Sequence, residues 1–141
     1  MLTDFSPIPL NVTRTGHLLL SIVVANHLFQ FILDTGAATT VLDINIAKRH
    51  NFNIEAIGQN AGGLGTSAMA VSKIAPVEIK MGDLAISDLP VYCLDLSHVF
   101  KALQNKGVEE PVLGALGADI LLRYNAVIDY GSKTLSLGIK S

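Results

Sequence analysis

Phe31-Ile32-Leu33-Asp34-Thr35-Gly36-Ala37-Ala38-Thr39-Thr40-Val41-Leu42 is the stretch on which the fold turns. An apolar run delivers a lone carboxylate into a Thr-Gly turn, and a second run, rich in Thr and Val, leaves it. Asp is depleted in strands and costly to bury without a partner, so few structural needs place it directly after Phe-Ile-Leu. Two readings follow. In one, Asp34 bonds its own backbone in a β-turn and Gly36 supplies a positive φ. In the other, the turn holds a carboxylate out for chemistry.

Outward from this stretch the chain reads as short strands. Upstream, Leu18 to Val24 and Leu28 to Leu33 are apolar and β-branched, and they fold back on each other at Asn26-His27. Before them, Leu10 to Arg14 alternates as a short strand, and residues 1–9, with Pro7 and Pro9, read as an irregular or edge segment. Downstream, Thr39 to Leu42 is a strand, and Asp43 is placed to cap a helix running to about His50. Asn60 to Thr66, with Gly62, Gly63 and Gly65, suits a hairpin tip. Ile74, Val77, Ile79 and Met81 read as strand, Gly82-Asp83 as a turn, and Leu84 and Ile86 as the return. Leu89 to Leu96 is a further strand, and Ser97 opens a helix to Asn105. Val112 to Asp119 leads into a helix from Ile120 to Tyr124, and Ala126–Tyr130 and Thr134–Ile139 close the chain as a hairpin. Strands at short intervals with two or three brief helices predict an all-β barrel or sandwich.

Composition narrows the function classes. The 141 residues predict one domain, and the net charge of −2, without a Lys/Arg cluster, argues against a nucleic-acid partner. Hydrophobic residues make up 50% and charged residues 16%, which leaves apolar surface for a partner, most simply a second copy. Gly16 to Leu33 is uncharged for roughly the length of a membrane span. It carries His17, Ser21, Asn26, His27 and Gln30, however, and reads as two strands. No basic segment followed by an apolar core opens the chain, so the cytoplasm is the default compartment; a trimmed leader would make it the periplasm. Cys93, the one cysteine, sits in an apolar run and reads as core rather than as a nucleophile.

Other chemistries fit less well. Gly63-x-Gly65-x-x-Ala68 with Asp83 about twenty residues on mimics a dinucleotide fingerprint, but the residues from Ile74 alternate as a strand where a helix should open. His17, His27, His50 and His98 show no metal-ligand spacing, so neither metal nor cofactor is expected. No Gly-x-Ser-x-Gly elbow occurs. Asp43, Asp83 and Asp88 read as cap or turn residues, Asp129 as part of a hairpin turn, and Asp119 as the cap of the helix after it.

Three features in this order resemble one family. They are Leu33-Asp34-Thr35-Gly36-Ala37, the Gly-rich hairpin, and Leu116-Gly117-Ala118-Asp119-Ile120-Leu121 near the C-terminus. The chain looks like a retropepsin-like aspartic protease of the small single-lobe bacterial type, a likeness covering about residues 15–139 of a single domain spanning 1–141. The resemblance implies a closed or partly open acid-protease barrel with Asp34 as the catalytic carboxylate. Thr35 would brace the loop across to its mate, and Gly36 and Ala37 would line the cleft. Gly62, Gly63 and Leu64 would form the tip of a flap over substrate, and Leu116 and Gly117 would pack against the active-site loop. Because each chain carries one Asp-Thr-Gly, the chemistry implies a homodimer acting on a peptide or protein substrate. The terminal strand Thr134–Ile139 is the candidate for the dimer interface. The chain departs from the two-lobed members in lacking their flap-tip Tyr, and the region from Lys73 to Pro111 is longer than a retroviral protomer would need. The alternative is a module of the same fold that binds peptide or protein without cleaving it.

Overall fold

The computed structural model describes residues 2–56, 71–107 and 112–140. In chain order the elements are β1 (Leu2–Asp4), β2 (Ile8–Pro9), β3 (Asn11–Val12), β4 (Leu18–Val24), β5 (His27–Leu33), β6 (Val41–Asp43), α1 (Ile44–Arg49), β7 (Ile54–Ala56), β8 (Ser72–Ile74), β9 (Ile79–Met81), β10 (Leu84–Ile86), β11 (Val91–Leu94), α2 (Ser97–Asn105), β12 (Val112–Leu116), α3 (Ala118–Arg123), β13 (Val127–Asp129), β14 (Thr134–Ser136) and β15 (Gly138–Lys140). Among these elements none of the helices is long and apolar enough to cross a membrane.

The main sheet has ten strands, running β10-β9-β4-β5-β12-β6-β11-β8-β7 with β3 beside β4. Among the described residues it ends in two edges, so the mostly-β fold takes the open form of the expected barrel. Its centre fixes the site. β12 lies between β5 and β6, parallel to the first and antiparallel to the second, with Leu116 beside Leu33 and Ala115 beside Val41. Since β5 and β6 follow each other in sequence, the segment joining them must pass over the C-terminal end of β12. That segment is Asp34 to Thr40.

Burial on both faces explains the unbroken apolar runs. Leu18, Leu20, Ile22, Phe31, Leu33, Leu42, Leu113 and Leu116 belong to the principal core. Leu19, Ile32 and Val112 point to the other face, where Leu103 and Phe100 of α2 cover them. Strand β12 needs a small residue where it is squeezed. A Cβ on Gly114 would stand 2.1 Å from the Val41 carbonyl oxygen, so only glycine fits this register.

Several local expectations are corrected. Residues 5–7 are irregular and β2 is an edge strand beside β14, as expected, but β1 pairs with β15, a pairing that no local pattern announces. The strand expected over Thr134–Ile139 is interrupted at the buried Leu137 and continues as β15. The tight turn between β4 and β5 falls at Ala25 and Asn26, both at positive φ, one residue earlier than expected. Asp43 occupies the N-cap position of α1 but makes no capping bond. Its buried carboxylate accepts instead from the Leu96 amide at 3.0 Å, tying α1 to the segment before α2. The Gly-rich stretch from Asn60 to Thr66, with Gly62, Gly63 and Leu64, lies outside the described residues.

Candidate active site

Strand β5 ends at buried Leu33, and the next residue, Asp34, is exposed. The backbone holds it there. The Asp34 amide donates to the Leu116 carbonyl at 3.0 Å, which continues the β5–β12 pairing by one residue. The Asp34 carbonyl accepts from the Ala37 amide at 3.1 Å, closing a tight turn. The Gly36 amide donates to Asp34 Oδ1 at 3.0 Å and orients the carboxylate. Gly36 is not at positive φ, contrary to the turn reading. A Cβ there would meet Asp34 Oδ1 at 3.4 Å, ordinary contact, so neither strain nor crowding at this carboxylate demands the glycine.

The far side of the loop is pinned to the start of α3. The Ala37 carbonyl accepts from the Ala118 amide at 2.7 Å, and the Ala38 carbonyl from the Asp119 amide at 3.2 Å. Gly117 fits under the loop because it has no side chain. A Cβ on it would meet three backbone atoms, the Thr39 carbonyl carbon at 2.7 Å and the Ala37 and Thr39 oxygens at 2.8 Å. Leu116 beside it is fully buried.

Thr40 and Asp119 complete the clamp. Thr40 is 1% exposed. Its hydroxyl donates to Asp119 Oδ1 at 2.7 Å and accepts from the Gly117 amide at 3.0 Å. Its own amide donates to both Asp119 oxygens at 3.0 Å. Asp119 was read from sequence as the cap of the following helix. It lies instead inside the first turn of α3, whose N-cap is Gly117, and its carboxylate serves the Asp34 loop as well as the Ile120 amide. Sequence reasoning missed this pair. The available signal was Thr40 itself, a hydroxyl directly before the apolar Val41-Leu42, which once buried has to find a partner.

The predicted residues therefore fall into three groups. Asp34, Thr35, Gly36 and Ala37 form one turn, with Asp34 and Thr35 at the surface. Leu116 and Gly117 abut that turn from below. Gly62, Gly63 and Leu64 are not among the described residues. Asp129 is separate: its Oδ1 accepts from the Ser132 amide at 3.1 Å in the β13–β14 turn. A cavity of about 750 Å³ opens elsewhere, between α1 and α2, over Ile46, Phe100, Leu103 and Val112, and none of the Asp34 loop lines it. Among the described residues no group of three or more His, Cys, Asp or Glu side chains is placed to hold a metal ion.

An exposed carboxylate in a rigid Asp-Thr-Gly turn, straddling the end of a buried strand, defines a protein of the aspartic-protease class. The aspartyl protease family matches residues 20–120, and the chain belongs to that family. No curated protein sequence matches the chain. Solved structures share the fold. A retropepsin-like aspartic protease from Rickettsia conorii aligns over 99% of this chain and 93% of its own, at 18% identity and a TM-score of 0.57. EIAV protease, solved with the inhibitor HBY-793, aligns over 79% of this chain and 91% of its own, at 21% identity and a TM-score of 0.54. The retroviral protease-like domain of Ddi1 from Leishmania major aligns over 86% and 87%, at 14% identity and a TM-score of 0.60. Family and fold together support a peptidase.

Proposed function

We propose that this chain is an aspartic endopeptidase that works as a homodimer, with Asp34 of each copy meeting on the two-fold axis and the whole of 1–141 acting as one domain. The observation that carries the reading is the exposure of Asp34 on an otherwise pinned loop. A carboxylate held this firmly, with its open side to solvent, is pre-organised for a reacting partner. A single chain offers one such loop, and hydrolysis of a peptide bond by this chemistry needs two carboxylates.

The roles follow from general acid–base logic. In aspartic-protease dyads, two carboxylates about 3 Å apart share one proton, because both cannot ionise together. The ionised Asp34 takes a proton from water as the water attacks the scissile carbonyl carbon. The protonated Asp34 of the second copy hydrogen-bonds the carbonyl oxygen and then helps protonate the leaving amine. Thr35 holds the two loops in register, and the Gly36 amide orients the carboxylate of its own loop. Gly36 and Ala37 line the floor of the cleft, and Gly62, Gly63 and Leu64 are assigned to substrate binding. A closed two-fold interface suits a chain with few charges.

The test is digestion of unfolded casein across about pH 4–7, where such dyads share a proton, by the parent and by Asp34→Asn at matched high concentration. Cleavage by the parent alone supports the proposal. Cleavage by both removes Asp34 from the chemistry. Cleavage by neither, with both folded, favours the non-cleaving peptide-binding module.

A further inference from the structure

Two exposed histidines come together at the opposite end of β5 from Asp34. His27 is the first residue of β5, directly after the tight turn at Ala25 and Asn26. His50 is the C-cap of α1, its amide bonded to the Ile46 carbonyl at 3.1 Å. Their ring centroids are 5.2 Å apart and their planes meet at 58°. Two imidazoles bound to one tetrahedral zinc ion, with Zn–N bonds of about 2.0–2.1 Å, carry their centroids about 5 Å apart. The observed spacing leaves room for one ion between the two rings.

Two phenylalanine rings pack around the pair. Phe29 packs edge-on against His50 with centroids 4.9 Å apart, and Phe52 lies 6.2 Å from both His50 and Phe29. Two fixed backbone positions and two supporting aromatic rings reduce the ordering that binding would otherwise require. Imidazole is a ligand suited to late first-row divalent ions, whereas magnesium and calcium prefer oxygen.

We propose that His27 and His50 form a surface site for a divalent transition-metal ion of the zinc class, with water filling the remaining positions. The bound ion clasps the β4–β5 hairpin to the C-terminal end of α1. Sequence spacing gave no hint of it, because the ligands lie on separate elements that only the fold brings together. The site shares no residue with the Asp34 loop, so its test does not depend on peptidase activity.

The experiment is calorimetric titration of the intact protein with zinc chloride, with magnesium chloride as the control, for the parent, His27→Gln, His50→Gln and His17→Gln. The expected result is one zinc per chain for the parent, unchanged in His17→Gln and weakened at least about tenfold in each of the other two variants. Binding also weakens as pH falls, because an imidazole ligand must be neutral. Zinc raises the melting temperature of the parent and raises that of His27→Gln and His50→Gln by less at the same zinc concentration. Circular dichroism confirms that the variants are folded. Absence of zinc binding to the parent, or binding that survives both His27→Gln and His50→Gln, overturns the proposal.

Discussion

Replacing Thr40 by Val keeps the shape of the side chain and removes its hydroxyl. That hydroxyl joins the Asp34 loop to the start of α3, donating to Asp119 Oδ1 at 2.7 Å and accepting from the Gly117 amide at 3.0 Å. The loss of a hydrogen bond to a charged acceptor costs about 1.5–3 kcal/mol, and the stranded Gly117 amide about 1–3 kcal/mol. Water cannot replace the hydroxyl, because Thr40 is 1% exposed. The added methyl returns about 0.8 kcal/mol. Asp119 keeps both contacts to the Thr40 amide, so its carboxylate is not abandoned. The net expectation is a loss of about 2–5 kcal/mol, or on the order of 10 °C in Tm for a chain of this size. Urea unfolding at one fixed protein concentration measures it, since a self-associating chain has a concentration-dependent midpoint. Thr40→Ser keeps the hydroxyl and should retain most of the lost stability. A Thr40→Val loss below about 0.5 kcal/mol, the range of an ordinary surface change, or equal losses in both variants, would refute the clamp.

Gly114→Ala drives a Cβ to 2.1 Å from the Val41 oxygen, a backbone atom that cannot swing aside. Its cost should reach or exceed the top of the usual overpacking range of about 1–3 kcal/mol, read as a fall in the urea midpoint. Burial, with the Asp43 carboxylate as the smaller cause, pushes the Cys93 thiol up to about 11. A maleimide or disulfide reagent at pH 8 should therefore leave the folded protein unlabelled and modify it fully in urea. The Ser6 hydroxyl and amide hold the exposed Asp83 carboxyl below its ordinary value of 3.8. A lowered folded value contributes stability that is complete above the unfolded value and lost as pH falls through the folded one. Ser6→Ala should lower stability at neutral pH and reduce its further fall below about pH 4, as followed by urea midpoints at stepped pH.

The sequence carried the local pieces of this fold well. Leu18 to Val24 was legible from its apolar and β-branched run, α2 from Val99, Phe100 and Leu103 on one face, and the β9–β10 turn from Gly82-Asp83. What it did not carry were pairings between distant segments. Leu2 to Asp4 has little strand signal of its own and becomes a strand because β15 lies beside it. Thr40 and Asp119 meet only after β12 has been threaded between β5 and β6. Read locally, Asp119 precedes a helix and so resembles a cap. Asp88 sits in a bend, as its sequence context suggests, but its contact with Arg123 at 3.0 Å on a distant helix is not visible locally. The Asp34 turn itself was visible in sequence because the two bonds that close it, from the Gly36 amide to Asp34 Oδ1 and from the Ala37 amide to the Asp34 carbonyl, join contiguous residues.

The central claim is that one site is shared by two chains, and mixing tests it most directly. Parent and Asp34→Asn protein are unfolded together, refolded to scramble the copies, and assayed on casein at constant total protein. A shared site predicts that mixed pairs are inactive, so an equal mixture retains about a quarter of the parent activity. Retention of about half, falling in proportion to the parent fraction, would mean that each chain carries its own complete site and would contradict the account.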